Sequence, residues 1–437
     1  MLFEVVTTAS MLGVWGASHY YRTNSSNDSD KILKIAENCG LYKKDEKLRL
    51  YRRNRSKDGK YTEYVFKIPL GLELEDFTDK YGKFKDGLNN RSVHRIDLRE
   101  FKKLKPDRTL LKQVRRILNN RVQLNKELEM EYDGMLKIRV YDEGLQEKYD
   151  LTQEIMKKCK PWHAALGKTL NGQVDHDFES GPHLLIGGAT DMGKSNILNV
   201  IINTLLHNHA DEVKFTLIDL KGGLEFGVYE NIKQVRNFAA DVFDAKTALE
   251  NVQTEMSKTF DMLRRTGKKN VKQAGIKERH FVIIDESAEL ASEGEVDREI
   301  KKLKIECENL IKDIARRGRA SGIRLLYCTQ YPTAETVSSQ VKRNLITRIC
   351  LPVDTATASG VVLDEGGAEK LPLIQGRSIY KRNRTKVMQS YFIDEDLISQ
   401  TVKPHINFRA RSEKSSASQR GKKEESARSY TTVIEEA

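Results

Sequence analysis

Cysteine is scarce and scattered in this chain. Its five cysteines, Cys39, Cys159, Cys307, Cys328 and Cys350, lie far apart among 437 residues, and none forms a Cys-x-x-Cys or Cys/His pair. That argues against a zinc ribbon or a disulfide framework and fits a reducing compartment. The pair His207/His209 reads as a helix end rather than a metal site. Long apolar runs are also missing. With 32% of residues charged and a mean hydropathy of −0.58, a multi-span membrane protein is excluded and one short segment at most remains. No internal repeat is evident.

The one uncharged run near the start, Val5 to Tyr21, has 17 residues, or roughly 25 Å of helix, slightly short of a hydrocarbon core. Only Glu4 precedes it, whereas Arg22, Lys31 and Lys34 follow. A signal peptide needs a positive n-region, so the pattern predicts a single-pass anchor with the body on the cytoplasmic face; the alternative is an interfacial or packed helix on a cytoplasmic protein. Asn24 to Asp30 is polar and reads as linker.

The length suggests two or three domains. The formal charge is +12, but it is unevenly placed: Lys43 to Lys126 holds 25 Lys and Arg against 12 Asp and Glu. Such a region suits a polyanion, either nucleic acid or an acidic membrane face, although a solvated basic surface has the same composition. Within it, Tyr61 to Ile68 alternates as a strand ended by Pro69 and Gly71, and Met135 to Tyr141 reads as a strand entered through Asp133-Gly134. From Arg108 to Glu131 the apolar residues recur at three- and four-residue steps, predicting an amphipathic helix.

The sharpest motif follows an apolar strand, Leu184 to Ile186. It runs Gly188-Ala189-Thr190-Asp191-Met192-Gly193-Lys194-Ser195-Asn196 and continues as a buried helix through Leu205. Strand, glycine-framed loop and helix together make a phosphate-binding loop. Backbone N–H groups wrap the phosphates of ATP, Lys194 neutralises the β/γ oxygens, and Ser195 ligates Mg2+. Asp191 is an unusual carboxylate for such a loop and is expected to point outward. A second strand, Lys214 to Ile218, ends at Asp219, and a third, His280 to Ile284, delivers Asp285-Glu286. These place Asp285 at the metal and Glu286 where it activates water, against the simpler reading of a helix N-cap pair. The amphipathic segment Asp297 to Arg317 leads into a fourth strand, Arg324 to Cys328, and then Gln330, a candidate γ-phosphate sensor. Alternating strands and helices with functional ends on one side predict an α/β fold with a mostly parallel sheet and its site at the carboxyl edge.

Several separated motifs resemble the FtsK/SpoIIIE family of DNA translocases across about residues 160 to 395. They are Ala165-Leu-Gly-Lys168, the phosphate loop, Ile218-Asp-Leu-Lys221 with Val228-Tyr-Glu-Asn-Ile232, Ile284-Asp-Glu286, Arg319-Ala-Ser-Gly-Ile323 with Thr329-Gln330, and Leu363-Asp-Glu-Gly-Gly-Ala-Glu-Lys-Leu371. The resemblance implies a RecA-like P-loop NTPase fold, helices on both sheet faces, and a homo-hexameric ring that hydrolyses ATP to move double-stranded DNA. It implies that Arg319 reaches a neighbouring subunit's ATP, with Arg348 the second choice. It also implies a channel-lining hairpin, which matches the independently legible turn of Arg377 to Val387, and offers Lys381, Arg382, Arg384 and Lys386 for phosphate contact.

The layout expected is a candidate membrane anchor at 1–21, a linker at 22–42, a small basic α+β domain at 43–150, the motor at 151–402 and a disordered polar tail at 403–437. Multiple membrane spans in front and a DNA-reading winged helix behind are not evident. The chain looks more like the coupling-protein-like members of Gram-positive conjugative elements and plasmids, with a relaxase and transfer-channel proteins as partners. A protein-secretion ATPase moving polypeptide is the alternative; a non-catalytic adaptor is disfavoured by Glu286, and an ABC-type transporter by the lack of a Leu-Ser-Gly-Gly-Gln signature.

Overall fold

A computed structural model describes residues 28–44, 46–89, 94–96, 121–123, 126–333 and 335–407. The chain divides into two compact units between Gly144 and Leu145. The anchor expected at 1–21 lies outside the described residues. Among the described residues no helix is long and apolar enough to cross a membrane.

The first unit is built on a four-stranded antiparallel sheet. Its strands are β1 (Arg49–Arg55), β2 (Tyr61–Lys67), β3 (Glu127–Tyr132) and β4 (Leu136–Tyr141), in the order β1-β2-β4-β3. Alternation sends Tyr64, Phe66, Leu136, Ile138 and Val140 to one face, where they pack with Ile32 and Ala36 of helix α1 (Asp28–Asn38) and Phe84 and Leu88 of helix α2 (Tyr81–Asn89). The linker expected at 22–42 is therefore corrected. Its second half is a helix whose two buried apolar residues belong to this core. The helix expected over Arg108–Glu131 is also corrected at its C-terminal end: Arg121–Gln123 pairs with His94–Ile96 as strand, and Glu127 onward is β3. Leu128 satisfies a four-residue step by chance, while Glu127-Leu-Glu-Met-Glu alternates with period two, which is the pattern tertiary pairing selects. Residues 101–120 lie outside the described residues.

The second unit holds an eleven-stranded sheet. Its strands are β5 (Tyr149–Asp150), β6 (His163–Thr169), β7 (Gly172–Asp177), β8 (Leu184–Gly187), β9 (Val213–Ile218), β10 (Val235–Ala239), β11 (Arg279–Ile284), β12 (Ile323–Thr329), β13 (Thr347–Cys350), β14 (Arg377–Lys381) and β15 (Thr385–Phe392). The order is β7-β6-β15-β14-β13-β8-β12-β11-β9-β10, with β5 on β15. The run from β13 to β10 is parallel throughout, and β14, β15, β6 and β7 extend it antiparallel.

The central strands read as continuous apolar runs because both their faces are covered. Leu184 and Ile186 face helix α3 (Lys194–His209) through Ile197, Leu198, Ile201 and Leu205. Leu185, Val282 and Ile284 face helices α4 (Val242–Arg265) and α5 (Arg298–Ser321) through Leu249, Val252, Ile311 and Ile314. Each such fully buried side chain contributes about 1.5–3 kcal/mol. Asp297 caps α5, and the helix ends on Gly322. Residues 403–407, expected in the tail, belong to the second unit, since Ile406 bridges Ile232 and Asn407 N–H donates to the Asn231 carbonyl; residues 408–437 lie outside the described residues.

Candidate functional site

The carboxyl ends of β8, β12 and β11 lie side by side, and β12 separates the other two. The phosphate loop leaves β8 and turns into α3 at Gly193, whose φ of 95° is left-handed. A Cβ there would stand 3.1 Å from the amide nitrogen of Gly376, so glycine serves both backbone and packing. Asp191 is exposed, with φ of 62°, outward as expected.

Lys194 opens α3 and is buried. Its ammonium donates to the Asp285 carbonyl at 2.8 Å and to Glu286 Oε2 at 3.3 Å, and stands 3.9 Å from Asp285 Oδ1. Glu286 accepts further bonds from the Gln330 amide at 3.0 Å and the Ala288 amide at 3.3 Å. The Gln330 side chain meets Thr190 Oγ1 at 3.3 Å. The structure thus brings Thr190, Lys194, Asp285, Glu286 and Gln330 into one connected cluster.

Asp285 is fully buried, and neither carboxylate oxygen has a hydrogen-bond partner. Burial pushes its pKa up, while the cations Lys194 and Lys221 act against that. Two buried carboxylates beside one ammonium leave a local deficit of positive charge, and unpartnered buried oxygens are costly. That arrangement fits Mg2+. Among the described residues no group of three or more His, Cys, Asp and Glu gathers to hold an ion. Ser195, half-buried on the first turn of α3, and Asp285 are the residues that would hold it.

Asn196, expected among the nucleotide-binding residues, has its side chain engaged within the fold. Its side-chain amide donates to the Tyr391 carbonyl at 2.7 Å, and its oxygen accepts from Ile393 N–H at 3.0 Å, fixing the end of β15. A second tie joins the same regions, since Gly376 N–H donates to the Met192 carbonyl at 2.8 Å. The phosphate loop is therefore bonded to the base of the β14–β15 hairpin. Sequence reasoning missed this joint; the signal available was Gly376 standing just before the hairpin.

The hairpin tip lies at the other end of the sheet, because Lys381 pairs with Arg348 near the start of β13. Lys381 is ion-paired with Glu365 at 2.9 Å and also bonds the Leu363 carbonyl. Arg382 bonds the Tyr380 hydroxyl. Arg384 and Lys386 are exposed. Arg319 is exposed at the end of α5, before the start of β12. A strand of seven residues, roughly 20 Å, separates it from the cluster at Gln330. It cannot serve its own subunit's phosphates. Arg348 is buried and committed to Asp364 and the Leu345 carbonyl, so its guanidinium is structural.

Asp219 was expected only as a strand end. Its carboxylate accepts from the amides of Lys221, Glu225 and Phe226, shaping the loop beside Asp285.

This sheet, with a glycine-framed loop on β8 and an acidic pair on β11, is that of a P-loop NTPase. Residues 151–280 match the model of the FtsK/SpoIIIE family, as the motifs led one to expect. The chain is 32% identical over 246 residues to the DNA translocase FtsK of Oceanobacillus iheyensis and 31% identical over 258 residues to the DNA translocase SpoIIIE of Bacillus subtilis. These matches cover 53% and 54% of this chain, and 31% of each relative, so the chain spans about a third of their length. Among solved structures, the pCW3 conjugation coupling protein TcpA, in a monomer form with ATPγS, is similar with a TM-score of 0.58 at 23% identity, over 86% of this chain and 99% of that one. Residues 151–280 are thus similar to the FtsK/SpoIIIE family, and the second unit has a P-loop ATPase fold.

Proposed function

We propose that this protein is an ATP-driven translocase of double-stranded DNA, acting in conjugative transfer or in segregation of a mobile element. The observation that carries the reading is the double tie, through Asn196 and Gly376, between a complete phosphate-binding cluster and the base of a hairpin with a basic tip. The names of its relatives, DNA translocases and a conjugation coupling protein, agree with it.

In this reading the loop amides and Lys194 bind the phosphates of ATP, and Ser195 and Asp285 would hold Mg2+, which would supply further charge neutralisation to the phosphates. Phosphates compete with Glu286 for Lys194. Glu286, relieved of that partner, orients water and takes its proton. Gln330, touching both Thr190 and Glu286, reports the state of the γ-phosphate to the acidic pair. Motion of the loop passes through Met192–Gly376 and Asn196–Tyr391 into the hairpin, where Arg384 and Lys386 hold the DNA backbone without reading sequence.

Assembly completes the site. Arg319 stands too far from its own cluster and is offered to a neighbour, where a guanidinium stabilises transition-state charge. The carboxyl edge exposes Leu224, Tyr331 and Leu373 on loops around the cluster and Phe243 on the first turn of α4, apolar surface that a second copy would cover. A homo-hexameric ring is the assembly we favour. The motor, expected over 151–402, comprises the described residues of the second unit, 145–407; residues 1–21 would fasten it to the cytoplasmic face of the membrane, with a relaxase and channel proteins as partners.

The test is ATPase activity of purified protein with and without duplex DNA. Stimulation by DNA supports the reading; stimulation by polypeptide and indifference to DNA would move it to the secretion class.

A further inference from the structure

The first unit's sheet is electrically polarised across its width. At one edge, β1 reads Arg49-Leu-Tyr-Arg-Arg-Asn-Arg55, with no acidic residue and every position exposed. At the other edge, β3 carries Glu127, Glu129 and Glu131. Between them Arg139 is absorbed by Glu63, Glu129 and Glu131, with contacts of 3.1 to 3.3 Å. Part of the basic surplus of this unit lies along this edge: residues 42–60 hold nine Lys and Arg against three Asp and Glu, and residues 90–126 hold the rest.

Among the described residues β1 hydrogen-bonds to β2 alone, which makes it an edge strand of this sheet. Charges are a common means of keeping an edge from pairing with another chain, and either sign would serve for that. Here four charges on one strand are all arginine. Arginine presents a planar fork that matches phosphate geometry. The Arg53 guanidinium lies 5.7 Å from the Tyr64 ring centroid, held in a defined place rather than trailing into solvent. Between Leu50 and Arg52 the pairing slips, which leaves Tyr51 bulged and 72% exposed beside the arginines.

The spacing fits a polyanion of one kind. A strand rises about 3.3 Å per residue, and one strand of a DNA duplex presents a phosphate every ~3.4 Å along the axis. Side chains alternate between the two faces of the sheet, so the register slip at Tyr51 puts Arg49 and Arg52 on one face and Arg53 on the other; as an edge strand, β1 can present all three to a phosphate strand that runs along it. A flat acidic membrane would instead meet the glutamates of β3, about three strand widths or ~14 Å away.

We infer that β1 is a second, sequence-independent contact for duplex DNA, separate from the hairpin of the motor, with Arg49, Arg52 and Arg53 bonding phosphates and Tyr51 adding a hydroxyl donor. It deepens the translocase reading and rests on duplex DNA being the cargo. Its role is to hold the duplex while the motor resets.

The experiment measures binding of the full chain to a fluorescent duplex across a KCl series, without nucleotide. Three forms are compared: the parent, Arg49→Ala/Arg52→Ala/Arg53→Ala, and the same three positions changed to Lys. The alanine form should lose tenfold or more in affinity, and its slope of log K against log salt should fall by about 2.5, near 0.9 per phosphate lost. The lysine form should keep most of the slope. Unchanged melting temperatures confirm that exposed side chains alone were altered. Equal slopes and affinities for parent and alanine form would overturn the inference, as would an alanine form that loses binding to anionic vesicles but keeps DNA. DNA-stimulated ATPase of the parent is read separately: its presence with an unchanged alanine slope removes β1 and leaves the translocase reading standing, whereas its absence removes that reading.

Discussion

At the carboxyl edge of the large sheet the important side chains are buried and interlocked: Lys194, Asp285 and Glu286 are nearly inaccessible and share one network with Gln330. At the amino edge they are exposed and basic, with Arg319 at the end of α5 and Arg384 and Lys386 at the hairpin tip. The two chemistries need opposite surroundings. Phosphate chemistry gains from a low-dielectric site where fixed charges act at full strength. Contact with a moving polyanion needs solvated charges that bind and release, because each held phosphate must later be let go. The β14–β15 hairpin crosses from one edge to the other, its base on the phosphate loop and its tip among the arginines.

The largest break of this comparison is Lys194→Ala. It removes the buried cation facing both carboxylates, and nucleotide binding and ATPase activity should fall below detection by equilibrium binding and phosphate release. Arg319→Ala, at the opposite edge, should lower the turnover of assembled protein by about a thousandfold while leaving ATP binding intact. Mixing it with Lys194→Ala subunits should restore part of the activity, since a Lys194→Ala subunit still offers Arg319 to an intact loop; no restoration would show that Arg319 does not act between subunits. Glu286→Gln should slow hydrolysis about a hundredfold or more with ATP still bound. Changes to the exposed tip should be milder: Arg384→Ala/Lys386→Ala should reduce the ratio of DNA-stimulated to basal ATPase severalfold. Smallest is the joint itself. Gly376 has φ of 79°, and a Cβ there would meet Ser390 Oγ at 2.5 Å, so Gly376→Ala should destabilise the fold by about 1–3 kcal/mol, read as a lower melting temperature.

The carboxyl edge was readable from sequence because its residues are tied to strand ends. An apolar run followed by Gly188 to Ser195, by Asp285-Glu286 or by Gln330 fixes both element and position. Arg348 was not readable: an arginine on a strand gives no sign of whether an acid such as Asp364, distant in sequence, will claim it. Asn196 hid its task for the same reason, since its partners lie nearly two hundred residues away on β15. In the first unit, a four-residue coincidence at Leu128 imitated a helix where the sheet imposed period two. The concentration of charge between Lys43 and Lys126 was plain in composition. That part of it lines one edge strand, opposite a glutamate edge, became visible only once β1 and β3 were placed on the same sheet.

The central claim is that phosphate chemistry at one edge drives a DNA contact at the other. The most direct measurement is the ATPase rate with and without duplex DNA over a salt series. Stimulation by duplex that falls steeply as KCl rises is the predicted result. A rate indifferent to duplex, or a stimulation that stays flat with salt, would contradict it.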